Sequence, residues 1–306
     1  MAWTTGDIPD QSGRVAVVTG ANGGLGLETT RELARRGAHV VMAARNLTKA
    51  VAAEKDIRNS VPGASVEVAG LDLGSLESIR ACAITILERH PSIDIIVNNA
   101  GVMGTPRMET SDGFELQFGT NHLGHFALNG LLLPALLAAP GGRVVTVTST
   151  ARHFRWPYDE DDLHLTRRYD PWRAYGRSKL ANTHFGLELD RRLRGSGAAA
   201  RSLVAHPGFS NTDLQAASAR HSPGGRSQRF FHSAVQRFGM MPAAGALPQL
   251  RAATDTAARG GELYAPRWVN NGPPVRRPLT RWSRNPEAMG QLWELSERET
   301  GVTFEF

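Results

Sequence analysis

Apolar residues fall along the first two hundred positions in two alternating rhythms. Short runs rich in Val, Ile and Ala occupy 14–19, 38–44, 65–71, 94–98, 143–149 and 200–205. Several are almost continuously apolar, as strands buried on both faces are. Between them lie stretches with helical spacing, at 25–36, 47–59, 75–90, 111–137 and 174–194. Strands alternating with helices predict βαβ units and a parallel sheet covered on both sides. The expected fold is therefore α/β: a single-domain, Rossmann-like, doubly wound parallel sheet spanning 1–306.

Two segments interrupt the rhythm. Residues 152–173 are polar and aromatic, carrying Trp156, Tyr158 and Trp172 among acidic residues. Residues 214–242 begin loop-like and turn apolar after about Arg226, with Phe230, Phe231, Met240 and Met241. Neither is long enough for a second domain. Both are expected to wall the substrate side, and 214–242 is placed to act as a lid. A late strand near 262–264 and a helix over 286–300 complete the prediction.

Composition narrows this picture only slightly. The chain is 41% hydrophobic and 21% charged, as ordinary soluble domains are. Its longest apolar run, 126–139, contains Asn129 and Pro134 and is too short to span a bilayer. The first residues lack the basic and apolar regions of a signal peptide, so a cytoplasmic location is expected. One cysteine, Cys82, excludes an internal disulfide framework and is expected to be a buried, inert thiol. The net charge of +6 comes from scattered arginines with no accompanying nucleic-acid motif, so no nucleic-acid partner is expected.

The first strand runs into Thr19-Gly20-Ala21-Asn22-Gly23-Gly24-Leu25-Gly26, and a helix opens at once. Glycines let the backbone turn tightly against a pyrophosphate, and free amides at the helix start attract its charge. The glycine spacing alone would arise by chance about 0.3 times in such a chain, so the flanking strand and helix carry the reading. The second strand ends Ala44-Arg45 rather than in a carboxylate. An arginine there suits the 2′-phosphate of NADP(H).

Tyr175 and Lys179 stand four apart on one helical face. A phenol titrates near 10, and an adjacent ammonium favours its ionised form, which is how a tyrosine becomes an acid–base catalyst. With four Tyr and three Lys in the chain, about 0.04 such pairs are expected by chance. The ordered set of the glycine turn, Asn98-Asn99-Ala100-Gly101, Asn121, Ser149, Tyr175, Lys179 and His206-Pro207-Gly208 resembles the short-chain dehydrogenase/reductase family over about residues 12–301.

That resemblance implies the remaining assignments. Gly20, Gly24 and Gly26 would form the phosphate turn, with Asn22 and Leu25 in contact. Asp72 and Leu73 would flank the adenine, and Asn99, Ala100 and Gly101 would lie over the nicotinamide-side ribose. Pro207, Gly208 and Thr212 would hold the carboxamide, while Asn98 would stabilise a neighbouring strand. Ser149 would bind the substrate oxygen, Tyr175 would exchange its proton, Lys179 would hold the ribose, and Asn121 would support a water leading from the lysine to solvent. His122, His125 and His153 are expected to serve packing or solvent roles.

Asn121-His-Leu-Gly-His-Phe126, the phrase from Tyr175 to Asn182, the Leu292-Trp-Glu-Leu-Ser296 tail and the 26-residue step from Ser149 to Tyr175 look like the retinol dehydrogenase-related branch. The expected activity is NADP(H)-dependent interconversion of an alcohol and a carbonyl on a bulky apolar substrate. The alternative is a catalytically silent NADP(H) sensor on the same fold. Helices near 111–137 and 174–194 form subunit contacts in much of the family, so a homo-oligomer is possible.

Overall fold

The computed structural model describes residues 2–154, 158–209 and 240–306. Eight strands form one sheet in the order β3-β2-β1-β4-β5-β6-β7-β8. They are β1 Val15–Thr19, β2 His39–Ala44, β3 Ser65–Gly70, β4 Ile95–Asn98, β5 Arg143–Val147, β6 Arg201–Ala205, β7 Leu263–Pro266 and β8 Pro274–Arg277. β1 to β7 run parallel and β8 is antiparallel to β7. Strand order reverses between β1 and β4. In open parallel sheets that reversal opens a crevice at the carboxyl ends of the strands.

Helices cover both faces. On one face α1 (Gly24–Arg35), α2 (Leu47–Ser60) and α7 (Pro242–Thr254) bury Leu33, Ala53, Ile57, Ala246 and Leu250 against Ala16, Val18, Val40 and Met42. On the other, α3 (Leu76–Arg89), α5 (Gly124–Ala138), α6 (Pro171–Gly195) and α8 (Pro286–Thr300) bury Ile79, Phe126, Phe185 and Trp293 beside Val17, Val41 and Ile96. Alternate residues of one strand thus feed opposite cores, which is why the strands read as unbroken apolar runs. Cys82 lies in the second core, and burial pushes its thiol up to about 11, so it is inert as expected.

Three elements differ from expectation. The helix expected from 111 starts at α4, Leu116–Phe118, because Glu109 and Glu115 form an antiparallel bridge and the Glu115 carboxylate caps Gln117 N and Phe118 N at 2.9 and 2.7 Å. A π-helical turn, Gly119–Leu123, then joins α4 to α5. α7 falls where no helix was expected, since Gly245 and Pro248 dilute the apolar spacing and Pro242 sits at the permitted first turn. β8 is short and begins with proline, features of an edge strand rather than a buried one.

Candidate active site

Of the cofactor-end candidates, Gly20, Asn22, Gly24, Leu25 and Gly26 follow β1, Arg45 follows β2, Asp72 and Leu73 follow β3, and Asn99, Ala100 and Gly101 follow β4, all at the carboxyl ends of the strands. Gly20 has φ +66°, and a Cβ there would meet Ala100 at 3.1 Å. At Gly26 a Cβ would lie 2.3 Å from Gly20 O, so only glycine lets α1 sit this close to the turn. Gly24 also has positive φ, at +51°. The α1 N-cap, Gly23, provides no side-chain hydrogen bond, leaving first-turn amides available to an anion.

Thr19 ties the turn to the neighbouring loop. Its hydroxyl accepts from Asn99 N at 2.9 Å and Ala100 N at 3.0 Å, and Asn99 Nδ2 donates to Thr19 O at 2.8 Å. Asn98 faces away from this crevice and bonds Thr146 and Asn129, the strand-stabilising role expected of it. Arg45, just past β2, is largely exposed, with Nη1 4.0 Å from Asp72 Oδ2. Asp72 Oδ1 accepts from Gly74 N at 2.9 Å, holding the turn in which Leu73 is buried.

The catalytic candidates meet beyond β5. Tyr175 and Lys179 rise from α6, both nearly fully buried, and Lys179 Nζ lies 5.8 Å from the phenol ring centre. α6 is held in place by Thr148, whose hydroxyl donates to Lys179 O at 2.7 Å. Lys179 Nζ donates to Val147 O at 3.3 Å, as does Asn182 Nδ2 at 3.0 Å. Ser149 lies two residues past the end of β5, not on it, and its hydroxyl is hydrogen-bonded to the Tyr175 phenol.

Asn121 occupies the π-helical turn, a distortion often found where a helix carries function. Its Oδ1 accepts from Val102 N at 2.7 Å, while Nδ2 donates to Val102 O and Ser178 Oγ, both at 2.9 Å. A Cβ on Gly101 would meet Asn121 Oδ1 at 2.9 Å and Lys179 Nζ at 3.5 Å. Gly101 is therefore where the loop after β4 closes on both side chains.

The electrostatics correct one expectation. Burial pushes Tyr175 up to about 12, with the Ser149 hydrogen bond opposing it. Burial also brings Lys179 down to about 8. At 5.8 Å from the ring the ammonium does not offset the desolvation of the phenol. Lowering the tyrosine requires further positive charge or polar groups in the crevice. The single hydrogen bond of Lys179 Nζ among the described residues leaves donors for hydroxyl acceptors such as those of a ribose. Together with the glycine turn and the uncapped α1, this donor set fits a dinucleotide.

Residues 14–223 match the family model described as short chain dehydrogenase. The chain belongs to the short-chain dehydrogenase/reductase family. Human retinol dehydrogenase 13 is 46% identical over 215 residues, 69% of this chain and 64% of that one. Mouse polyprenol dehydrogenase is 44% identical over 211 residues, 68% of this chain and 63% of its own. The chain thus spans just under two thirds of these curated relatives. A solved structure of an uncharacterized protein from Mycobacterium paratuberculosis is similar throughout, with 39% identity, a TM-score of 0.81 and full coverage of both chains. Within the family the chain falls in the retinol dehydrogenase branch.

Two supports of this candidate site, Ser178 and Gln249, escaped the sequence reading, whereas His122 and His125 take packing roles as expected. Ser178, inside the Tyr-x-x-Ser-Lys phrase, passes the Asn121 contact on to Tyr175 O at 2.8 Å. His125 bridges Thr19 Oγ1 and Asn121 O, both at 2.9 Å, and its burial brings it down to about 4, so it packs as a neutral ring. His122, brought down to about 3, pairs with Ser296 at 2.8 Å. Gln249 of α7 reaches Asn99 Oδ1 at 3.3 Å, a contact no local motif announces. Gly208 has φ +73° beside Pro207, and a Cβ there would strike Asn270 O at 2.6 Å. Thr212 and nearly all of 214–242 lie outside the described residues, as does Trp156. No described helix is long and apolar enough to cross a membrane.

Proposed function

We propose that the chain is an NADP(H)-dependent oxidoreductase that interconverts a bulky apolar alcohol and its carbonyl compound. The observation that carries this reading is the convergence of Ser149, Tyr175, Lys179 and Asn121 beside Gly101, at the strand ends where the glycine turn also opens. Gly20, Asn22, Gly24, Leu25 and Gly26 would receive the pyrophosphate. Asp72 and Leu73 would flank the adenine, and Asn99, Ala100, Gly101 and Lys179 would hold the inner ribose. Pro207, Gly208 and Thr212 would orient the carboxamide. Arg45, exposed and only loosely paired, would take the 2′-phosphate.

The hydride is the cofactor's contribution. Tyr175 would give or take the proton at the substrate oxygen, held there by its own hydroxyl and that of Ser149. Met103, Ala151, Tyr175 and Trp172 form an apolar cluster at this point, which supports an apolar substrate. Retinol and polyprenol, named in the relatives, are both long apolar primary alcohols, and we infer that this chain takes one of that class. NADPH oxidation over a panel of aldehydes, ketones and quinones tests the reading. Fast turnover of long apolar aldehydes is expected. Tight NADPH binding with no carbonyl turned over would overturn it.

A further inference from the structure

The opposite end of the sheet holds a second group of ligating side chains. His39 opens β2, Glu67 lies in β3, and His90 is the C-cap of α3. β2 and β3 are parallel with His39 beside Ser65, so Glu67 stands two residues further along on the same face, the one α3 covers. His90 Nε2 lies 2.8 Å and His39 Nε2 3.7 Å from the same carboxylate oxygen, Glu67 Oε1. All three ligand atoms lie within 4.8 Å of one another. The imidazole rings pack at 4.9 Å between centres.

Their second partners orient them. His39 Nδ1 is 2.7 Å from Ser65 Oγ, and Arg89 Nη1 donates to Glu67 Oε2 at 3.2 Å. The arginine thereby occupies the outer oxygen and leaves Oε1 turned inward. His39 Nε2 is buried and makes no hydrogen bond among the described residues. With Nδ1–H donating to Ser65, Nε2 turns a lone pair toward the Glu67 carboxylate, and a metal ion between them would satisfy both. Ligands on a tetrahedral zinc ion lie about 3.4 Å apart. The three atoms straddle that spacing, so small side-chain rotations would bring them onto one ion.

We propose that His39, Glu67 and His90 bind a divalent transition-metal ion such as Zn2+, with water completing its shell. Two imidazoles and one carboxylate are a borderline donor set suited to zinc, cobalt or nickel rather than calcium or magnesium. The site is far from the reacting groups, at the amino ends of strands whose carboxyl ends form the crevice. Its effect is to pin edge strand β3 and the end of α3 to β2, stabilising the fold without entering the reaction.

The test is a titration of ZnCl2 into chelator-treated full-length protein, followed by calorimetry and by thermal unfolding. One saturable site is expected, and at a hundredfold excess over Kd the Tm should rise by about 5 °C. A His39→Ala/His90→Ala double variant should lose at least tenfold in zinc affinity and the Tm response. Its NADPH oxidation rate should be unchanged, which also reports that it folds. Glu67→Gln, a near-isosteric change, should weaken zinc severalfold. Cobalt in place of zinc should give visible absorption bands that vanish in the double variant. Absence of saturable binding would mean that a proton, not a metal, holds the trio. Undiminished binding in the double variant would place the metal elsewhere. Either result overturns the proposal.

Discussion

At the scale of single residues, the buried Tyr175–Lys179 pair offers the most direct tests of the proposed chemistry. Tyr175→Phe removes the proposed proton carrier while keeping the ring that packs on Trp172 at 6.2 Å. Turnover should fall to less than a tenth of wild type with NADP(H) affinity nearly intact, measured by steady-state rates and fluorescence titration. Lys179 gives a pH signature. Burial brings it down to about 8 in the free protein, so below that pH the ammonium is already charged. Above it, the free protein must take up a proton before the charged form can hold the ribose. Cofactor Kd should therefore rise as pH passes through about 8, by up to about tenfold per unit. In Lys179→Met binding should be weaker at every pH and lack this inflection.

At the scale of elements, the loop after β1 and the start of α1 act as one unit. A methyl at Gly26 would collide with Gly20 O, a backbone atom that cannot rotate away. Gly26→Ala should therefore move α1 off the turn, costing about 1–3 kcal/mol in stability and weakening NADP(H) binding at the same time. Chemical denaturation and cofactor titration on one preparation would show whether the two losses travel together. At the end of β2, Arg45→Ala should erase most of the preference for NADP(H) over NAD(H). A charge-assisted pair of this kind is worth roughly 1.5–3 kcal/mol, or about 10- to 150-fold in affinity. Equal wild-type affinities for the two cofactors would remove the role given to Arg45.

The elements also show what a sequence can disclose. β1 to β6 and most of the helices were legible because burial on both faces and helical spacing each leave a local pattern. The glycine turn and the Tyr-x-x-x-Lys pair were legible for the same reason, since their chemistry depends on neighbours along the chain. β8 was not, because an exposed edge strand with Pro274, Arg276 and Arg277 lacks apolar alternation. The π-helical turn at Asn121 was hidden inside a continuous helical signal. The upward shift of Tyr175 was also out of reach. It arises from desolvation by residues distant in sequence, whereas i to i+4 spacing only announces that a lysine is near.

At the scale of the whole molecule, both halves of the site share one sheet, and the C-terminal tail is built into the core behind it. Trp293 of α8 is 1% exposed and packs against Phe126 of α5 at 5.1 Å, Phe185 of α6 at 6.0 Å and Phe304 at 4.6 Å between ring centres. Arg192 of α6 lies over the same ring at 4.3 Å. The indole thus fastens the tail to the two helices that carry Lys179 and follow Asn121. β4 and β5 pair in register across the middle of the sheet, so the β1–β4 half has no independent edge at which to stop unfolding. We therefore propose one cooperative unit. Trp293→Ala should cost about 3–5 kcal/mol and lower Tm by roughly 5–8 °C. The loss should appear as a single displaced transition, and saturating NADP(H) should raise the whole curve rather than part of it. Calorimetry of wild type and variant decides the matter. Two resolved transitions, only one moved by cofactor and the other by Trp293→Ala, would divide the chain into separately stable parts.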